Sequence, residues 1–199
     1  MRIYDISQEV FSCSVYPGDP KPEKKTVCSI NEGSLYNLTA FSMCAHNGTH
    51  VDAPSHFLKD GDTVDMIGLE KTLGFAYVCS KTGELYECDA LEIIEKAKNC
   101  SAESSRRILI NGNAVITKSA AEVFSKSGVL LVGVTSQSVG PIDAPMEVHR
   151  ILLESKTVLL EGLCLDNVAD GVYFLCAQPI NLGGCDGAPV RAVLIDFGE

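Results

Sequence analysis

Tryptophan is missing from this sequence, so any aromatic ligand must be packed by phenylalanine, tyrosine or aliphatic side chains. Histidine is nearly as scarce, with four in 199 residues. The nine cysteines are odd in number and no two form Cys-x-x-Cys. That argues against a disulfide framework and against paired-cysteine zinc ribbons. No apolar run approaches the roughly 18 residues that span a bilayer. Met1-Arg2-Ile3-Tyr4-Asp5 lacks the apolar core of a signal peptide, so reduced thiols and a cytoplasmic location are expected. Basic residues are few: 16 Lys and Arg stand against 26 Asp and Glu, a net charge of −10. An acidic surface disfavours nucleic acid and anionic membranes. Repeats, linkers and low-complexity runs are lacking too. What remains suits one domain over residues 1–199, with 46% hydrophobic residues to form its core. The mean hydropathy of +0.14 is high, and a buried subunit interface would account for part of it.

Three of the four histidines fall within His46-Asn47-Gly48-Thr49-His50-Val51-Asp52-Ala53-Pro54-Ser55-His56-Phe57. Imidazole nitrogen and carboxylate oxygen are ligands for zinc and manganese. A helix would put His46 and His50 on one face, but Gly48, the β-branched Thr49 and Val51, and Pro54 make poor helix. A straight strand would separate them by roughly 13 Å, too far to share an ion. The chain must bend, and Gly48 permits it. His50 and Asp52, two apart, then face one side of an extended segment. A turn follows at Ala53-Pro54. His46, His50 and Asp52 would converge on a metal, with His56 just beyond. The competing reading is a polar loop whose histidines are incidental.

The pattern HxGTHxDAPxHF also resembles the signature of the Putative cyclase family, which includes bacterial kynurenine formamidase and isatin hydrolase. The family's N-terminal region is similar to Val15-Tyr16-Pro17-Gly18-Asp19-Pro20. By that resemblance the segment borders the active-site mouth, in some members that of a neighbouring subunit; taken alone it is a surface turn.

Residues 2–6, 24–30, 35–45 and 74–80 read as strands. From about residue 89 helix and strand alternate. Asp89 with Glu92 opens a helix to about Lys98, and Arg107–Ile110 follows as a strand. Ser119 with Glu122 opens a second helix that Gly128 ends, before a strand over Val129–Val134. Asp143, with Pro145, opens a third helix to about Ser155, before a strand over Thr157–Leu160. Apolar runs at 172–177 and 190–197 close the chain. The alternation predicts an α/β or mixed domain with helices packed on sheet.

His149, the remaining histidine, lies on the third helix at the edge of its apolar stripe. Glu161 directly follows the run Val158-Leu159-Leu160, where a carboxylate is costly unless paired, ligated or at the sheet end. A lone histidine so placed is most often structural. The resemblance implies more. In the family, a His in a His-Arg-x-Leu-Leu helix and a Glu ending the next strand complete a metal centre. Here these are His149-Arg150-Ile151-Leu152-Leu153 and Glu161. The candidate ligands are then His46, His50, Asp52, His149 and Glu161. Five, with Asp52 shared, suit two zinc ions better than one, with manganese the alternative. His56, by resemblance, is the general acid/base that hands a proton to the leaving amine; otherwise it is a further ligand or a support.

Cys44, two residues before His46, is a weaker ligand candidate. Gly183-Gly184-Cys185-Asp186-Gly187-Ala188-Pro189-Val190-Arg191 resembles the family's C-terminal segment. It shapes the pocket or simply feeds the last strand. Ser136-Gln137-Ser138 is placed to hydrogen-bond substrate or ligands. The resemblance implies the swivelling β/β/α fold, with a central barrel-like mixed sheet and outer helices, assembled as a homodimer or homotetramer.

The function expected is metal-dependent hydrolysis of a small-molecule amide, first of all N-formylkynurenine. Ring opening of a cyclic amide such as isatin is the alternative. A cysteine hydrolase using Cys185 and His149 is a remote third, which would be sensitive to alkylation and indifferent to chelators. A non-catalytic metal protein would close its site with four ligands, often cysteines.

Overall fold

The structure is a computed structural model, and it describes residues 1–198. A nine-stranded mixed sheet curls into a half-barrel. Its members are β1 (Arg2–Asp5), β4 (His50–Asp52), β5 (Leu73–Ser80), β7 (Arg107–Asn111), β9 (Leu131–Val134), β10 (Val158–Glu161), β11 (Gly171–Cys176), β12 (Gly187–Pro189) and β13 (Val193–Asp196). A hairpin of β2 (Glu23–Cys28) and β3 (Leu38–Ser42) and a short pair of β6 (Gly83–Leu85) and β8 (Ala114–Ile116) stand outside it. The helices are α1 (Glu87–Cys100), α2 (Lys118–Lys126) and α3 (Met146–Glu154). Across the sheet the order is β1-β13-β11-β5-β7-β9-β10-β4-β12. β5, β7, β9 and β10 are parallel, and the flanking strands pair antiparallel. Among the described residues, no helix is long and apolar enough to cross a membrane.

The parallel strands are apolar on both faces because both faces are covered. Ile108, Ile110, Val132, Val134 and Leu159 point to the helices, meeting Ile93 of α1, Phe124 of α2 and Leu152 of α3. Their neighbours Leu109, Leu131, Val158 and Leu160 point into the curl, meeting Val51, Leu175 and Leu194. The mixed sheet with outer helices is therefore the expected one.

Several boundaries differ from the sequence expectation. α1 starts earlier: Tyr86 is its N-cap, and Asp89 sits inside the first turn, where its carboxylate accepts the Tyr86 N–H at 3.0 Å. The expected Asp89–Glu92 capping box does not form: Asp89 is the third helical residue and not the cap, and Glu92 pairs with Lys81 and Lys96 instead. Thr117, not Ser119, caps α2. Asp143 lies outside α3, whose N-cap is Pro145. The short strands β6, β8 and β12 had no sequence signal, since three residues are too few to display a period.

Candidate metal centre

The bend predicted before β4 is present. Gly48 adopts φ +68°, a left-handed conformation that glycine takes without steric cost. A Cβ there would also sit 3.3 Å from Cys13 Cβ. The polar residues between the histidines fasten this bend. Buried Asn47 accepts the Cys44 N–H at 2.8 Å and donates to the Pro20 carbonyl at 3.1 Å. Thr49 Oγ1 donates to the Gly162 carbonyl at 2.6 Å and accepts the Gln8 N–H at 2.9 Å.

From the bend the chain enters β4, between β10 and β12. The antiparallel register sets His50 opposite Glu161, so their side chains emerge as close neighbours. α3 brings buried His149 over the same point. Both rings are anchored at Nδ1 by backbone: His50 donates to the Gly48 carbonyl at 2.9 Å, and His149 to the Pro145 carbonyl at 2.7 Å. That leaves each Nε2 facing carboxylates, the arrangement of a histidine oriented for ligation. His50 Nε2 is 3.4 Å from both Asp52 Oδ1 and Glu161 Oε2. His149 Nε2 is 3.3 Å from Glu161 Oε1 and 3.6 Å from Asp52 Oδ2. Glu161 Oε1 accepts the Val139 N–H at 2.8 Å, which fixes its carboxylate.

These separations are long for strong hydrogen bonds. They match ligands of one ion, because bonds of about 2.1 Å at tetrahedral angles put the ligand atoms about 3.4 Å apart. Ligand atoms within 4.8 Å of one another make two buried or half-buried groups, His46 with His50 and Asp52, and Asp52 with His149 and Glu161. Asp52 is common to both. Its Oδ2 is buried and accepts no hydrogen bond, a costly state for an anionic oxygen unless a cation meets it. The donor set therefore fits a divalent ion, and the sharing of Asp52 fits two.

A third group joins His46, His56 and Asp186. Asp186 Oδ2 is 3.0 Å from His46 Nε2 and 3.2 Å from His56 Nδ1, and the two rings stack with centroids 4.0 Å apart. Asp186 was not singled out from the sequence, although it is the one carboxylate in the Gly183–Arg191 segment. That segment does both things weighed for it: Asp186 lines the cavity, and Gly187–Pro189 forms β12 against β4. Gly187 lets His46 approach, since a Cβ there would lie 2.7 Å from His46 Cε1.

Charge follows from this packing. Burial opposes a proton on His50, but the Asp52 and Glu161 carboxylates outweigh it and push its pKa up to about 10. His46 is raised as well: Asp52 and Asp186 overcome its burial. Burial works against the Asp52 carboxylate, yet His46 and His50 hold it well below the usual range. His56 goes the other way. Burial lowers it, and the pull of Asp52 and Asp186 only partly compensates. Of the four histidines, it is the one most readily neutral near pH 7.

The imidazoles line a cavity of about 370 Å³, together with Tyr16 and Asp19 of the N-terminal turn. Cys44 borders it, but no ligand group among the described residues includes a thiol. Cys185 is not in the cavity lining; it packs half-buried against the apolar core inside the curl. The Cys185–His149 pair of a cysteine hydrolase is therefore not assembled, because His149 Nε2 is turned to Asp52 and Glu161.

Residues 4–141 match the family model described as Putative cyclase. The matched region contains the His46–His56 motif and stops before His149. Whole-length similarity covers the rest. The kynurenine formamidase of Salinibacter ruber is 34% identical, with 98% of each chain covered. That of Bacillus cytotoxicus is 32% identical over 96% of this chain and 95% of its own. Among solved structures, isatin hydrolase A from Labrenzia aggregata superposes with a TM-score of 0.80 at 21% identity, covering 97% of this chain and 93% of that one. A potential metal-dependent hydrolase with cyclase activity gives a TM-score of 0.81 at 23% identity, covering 100% of this chain and 99% of that one. The fold is shared with these structures, and by its sequence the chain belongs to the Putative cyclase family.

Proposed function

We propose that this protein is a metal-dependent hydrolase of an amide, with N-formylkynurenine as the first substrate and a cyclic amide such as isatin as the second reading. The carrying observation is Asp52, a buried carboxylate shared by two ligand groups and lacking a hydrogen bond on Oδ2. The whole-length similarity to kynurenine formamidases supports the choice of substrate. The likeness to isatin hydrolase is one of fold and supports the second reading more weakly.

His46, His50 and Asp52 would hold one ion, and Asp52, His149 and Glu161 a second. Nitrogen and oxygen donors of this kind suit zinc first and manganese next. A divalent ion there would polarise the amide carbonyl and make water nucleophilic near neutral pH. His56 handles the proton. Its Nδ1 is held by Asp186, which leaves Nε2 to accept a proton from water and deliver it to the departing nitrogen. Its lowered pKa keeps it in the accepting form at neutral pH. Asp186 orients both His56 and the far nitrogen of His46, as carboxylates behind ligating histidines do. The exposed apolar side chains Val27, Leu38 and Phe41 on the β2–β3 hairpin support the further expectation of a dimer or tetramer.

The test is steady-state hydrolysis of N-formylkynurenine and isatin by protein loaded with zinc or manganese. A higher kcat/KM on N-formylkynurenine supports the first reading, and a higher value on isatin the second. No turnover of either contradicts both.

A further inference from the structure

Buried polar side-chain atoms are almost always paired, and each orphan costs stability unless something meets it. Five such atoms lack a partner among the described residues: one is Asp52 Oδ2, and three belong to Gln137 (Nε2 and Oε1) and Ser138 (Oγ). Ser138 is 7% exposed overall. Both residues follow β9 and line the metal cavity. They also line an adjoining cavity of about 250 Å³, and Tyr16 is the third residue common to the two. Gln137, Ser138 and Tyr16 therefore form the wall between a metal lobe and a side lobe, whose other walls include Val15, Pro17 and Ile142.

The position of Gln137 is built in. Its amide rests on Gly162, the residue after Glu161, where a Cβ would lie 2.7 Å from Nε2. Gly162 is itself pinned, its carbonyl accepting from Thr49 and from Gln8. The amide is thus fixed relative to the candidate ligands while leaving its hydrogen-bonding capacity open.

We propose that Gln137, assisted by Ser138, is a specificity residue that hydrogen-bonds a carbonyl oxygen carried ortho to the scissile anilide nitrogen. The inference rests on the amide-hydrolase reading and narrows its substrate class. With the amide at the ligands and the aryl body directed toward the side lobe, the ring lies against the wall that the two lobes share. An ortho carbonyl stands next to the anilide nitrogen and so reaches that wall. The Gln137 amide N–H and the Ser138 hydroxyl are neutral donors suited to a neutral acceptor. N-formylkynurenine and isatin both carry such an aryl ketone.

The test compares formanilide with 2′-formamidoacetophenone, which differ only in the ortho ketone, on metal-loaded wild type, Gln137→Met and Ser138→Ala. Intrinsic reactivity differs between the two amides but cancels when variants are compared. In Gln137→Met the preference for the ketone substrate is expected to fall about 5–100-fold, the worth of one or two hydrogen bonds to a group left otherwise unpaired. Formanilide turnover should fall by a clearly smaller factor than turnover of the ketone substrate, because formanilide offers Gln137 no ortho carbonyl. Ser138→Ala should show a smaller loss of the same preference, and it carries the test if Gln137→Met does not fold. Equal losses on both substrates, or no loss of preference in either variant, overturns the proposal. Failure of wild type on both substrates is failure of the amide-hydrolase reading. In that case binding of 2-aminoacetophenone and aniline, measured by calorimetry, decides: tighter binding of the ketone that is lost in Gln137→Met supports the role, and equal or absent binding overturns it.

Discussion

Asp52 Oδ2 lies 3.6 Å from His149 Nε2, with no hydrogen bond between them. Asp52 comes from the short strand after the glycine bend, and His149 from a helix almost a hundred residues later. The gap is one that an ion closes. Asp52→Asn keeps the shape and removes the shared charge. It is expected to lower bound metal and to reduce kcat/KM by at least about 10²–10³-fold. Metal analysis of the purified variant, alongside its activity, checks this.

His56 is outside both ligand groups that contain Asp52, so proton handling should separate from metal binding. His56→Ala is expected to retain metal while kcat falls by about 10²–10⁴-fold. The sign of the pH dependence follows from its lowered pKa. The reaction needs neutral His56, and a lowered value keeps it neutral to lower pH. The acid limb of kcat/KM, measured at saturating metal, should therefore fall below the ordinary histidine value of about 6.5. A limb above that value contradicts the assignment.

The metal-free site holds protons that an ion must displace. His50, pushed up to about 10 by its carboxylate neighbours, is protonated at pH 7, and a ligating imidazole is not. Metal binding at pH 7 should release at least one proton per chain, and affinity should rise as pH rises. Calorimetry in two buffers of different ionisation enthalpy gives the proton count directly.

Gly187→Ala should press on both His46 and β4, because the added Cβ would lie 2.7 Å from His46 Cε1 and 2.7 Å from the Val51 carbonyl oxygen. The crowding would cost about 1–3 kcal/mol. The expected result is a lower melting temperature and weaker metal binding, with the sheet intact by circular dichroism.

Much of this site was legible because its chemistry is concentrated. Three histidines and Asp52 share one short stretch with a bend residue between them, and the extended spacing of His50 and Asp52 fixed which side they face. His149 and Glu161 could be placed on a helix and at a strand end. Only the family resemblance joined them to the motif, since their meeting depends on the antiparallel pairing of β4 with β10. Asp186 stayed hidden for the same reason: nothing local in Gly183–Arg191 says that β12 will lie beside β4. The helix starts differ slightly from the sequence expectation because Asp89, Ser119 and Asp143 are good capping residues close to helix starts. Tyr86, Thr117 and Pro145 took the N-cap positions instead. The sheet's alternating faces, with Leu109 and Ile110 pointing to different cores, are invisible where every residue is apolar.

The central claim is that metal and amide hydrolysis belong together. N-formylkynurenine hydrolysis should be followed in one preparation as purified, after chelation and dialysis, and after zinc or manganese is restored. The account predicts that activity disappears with the metal and returns with it. Full activity in protein shown to be metal-free would contradict it.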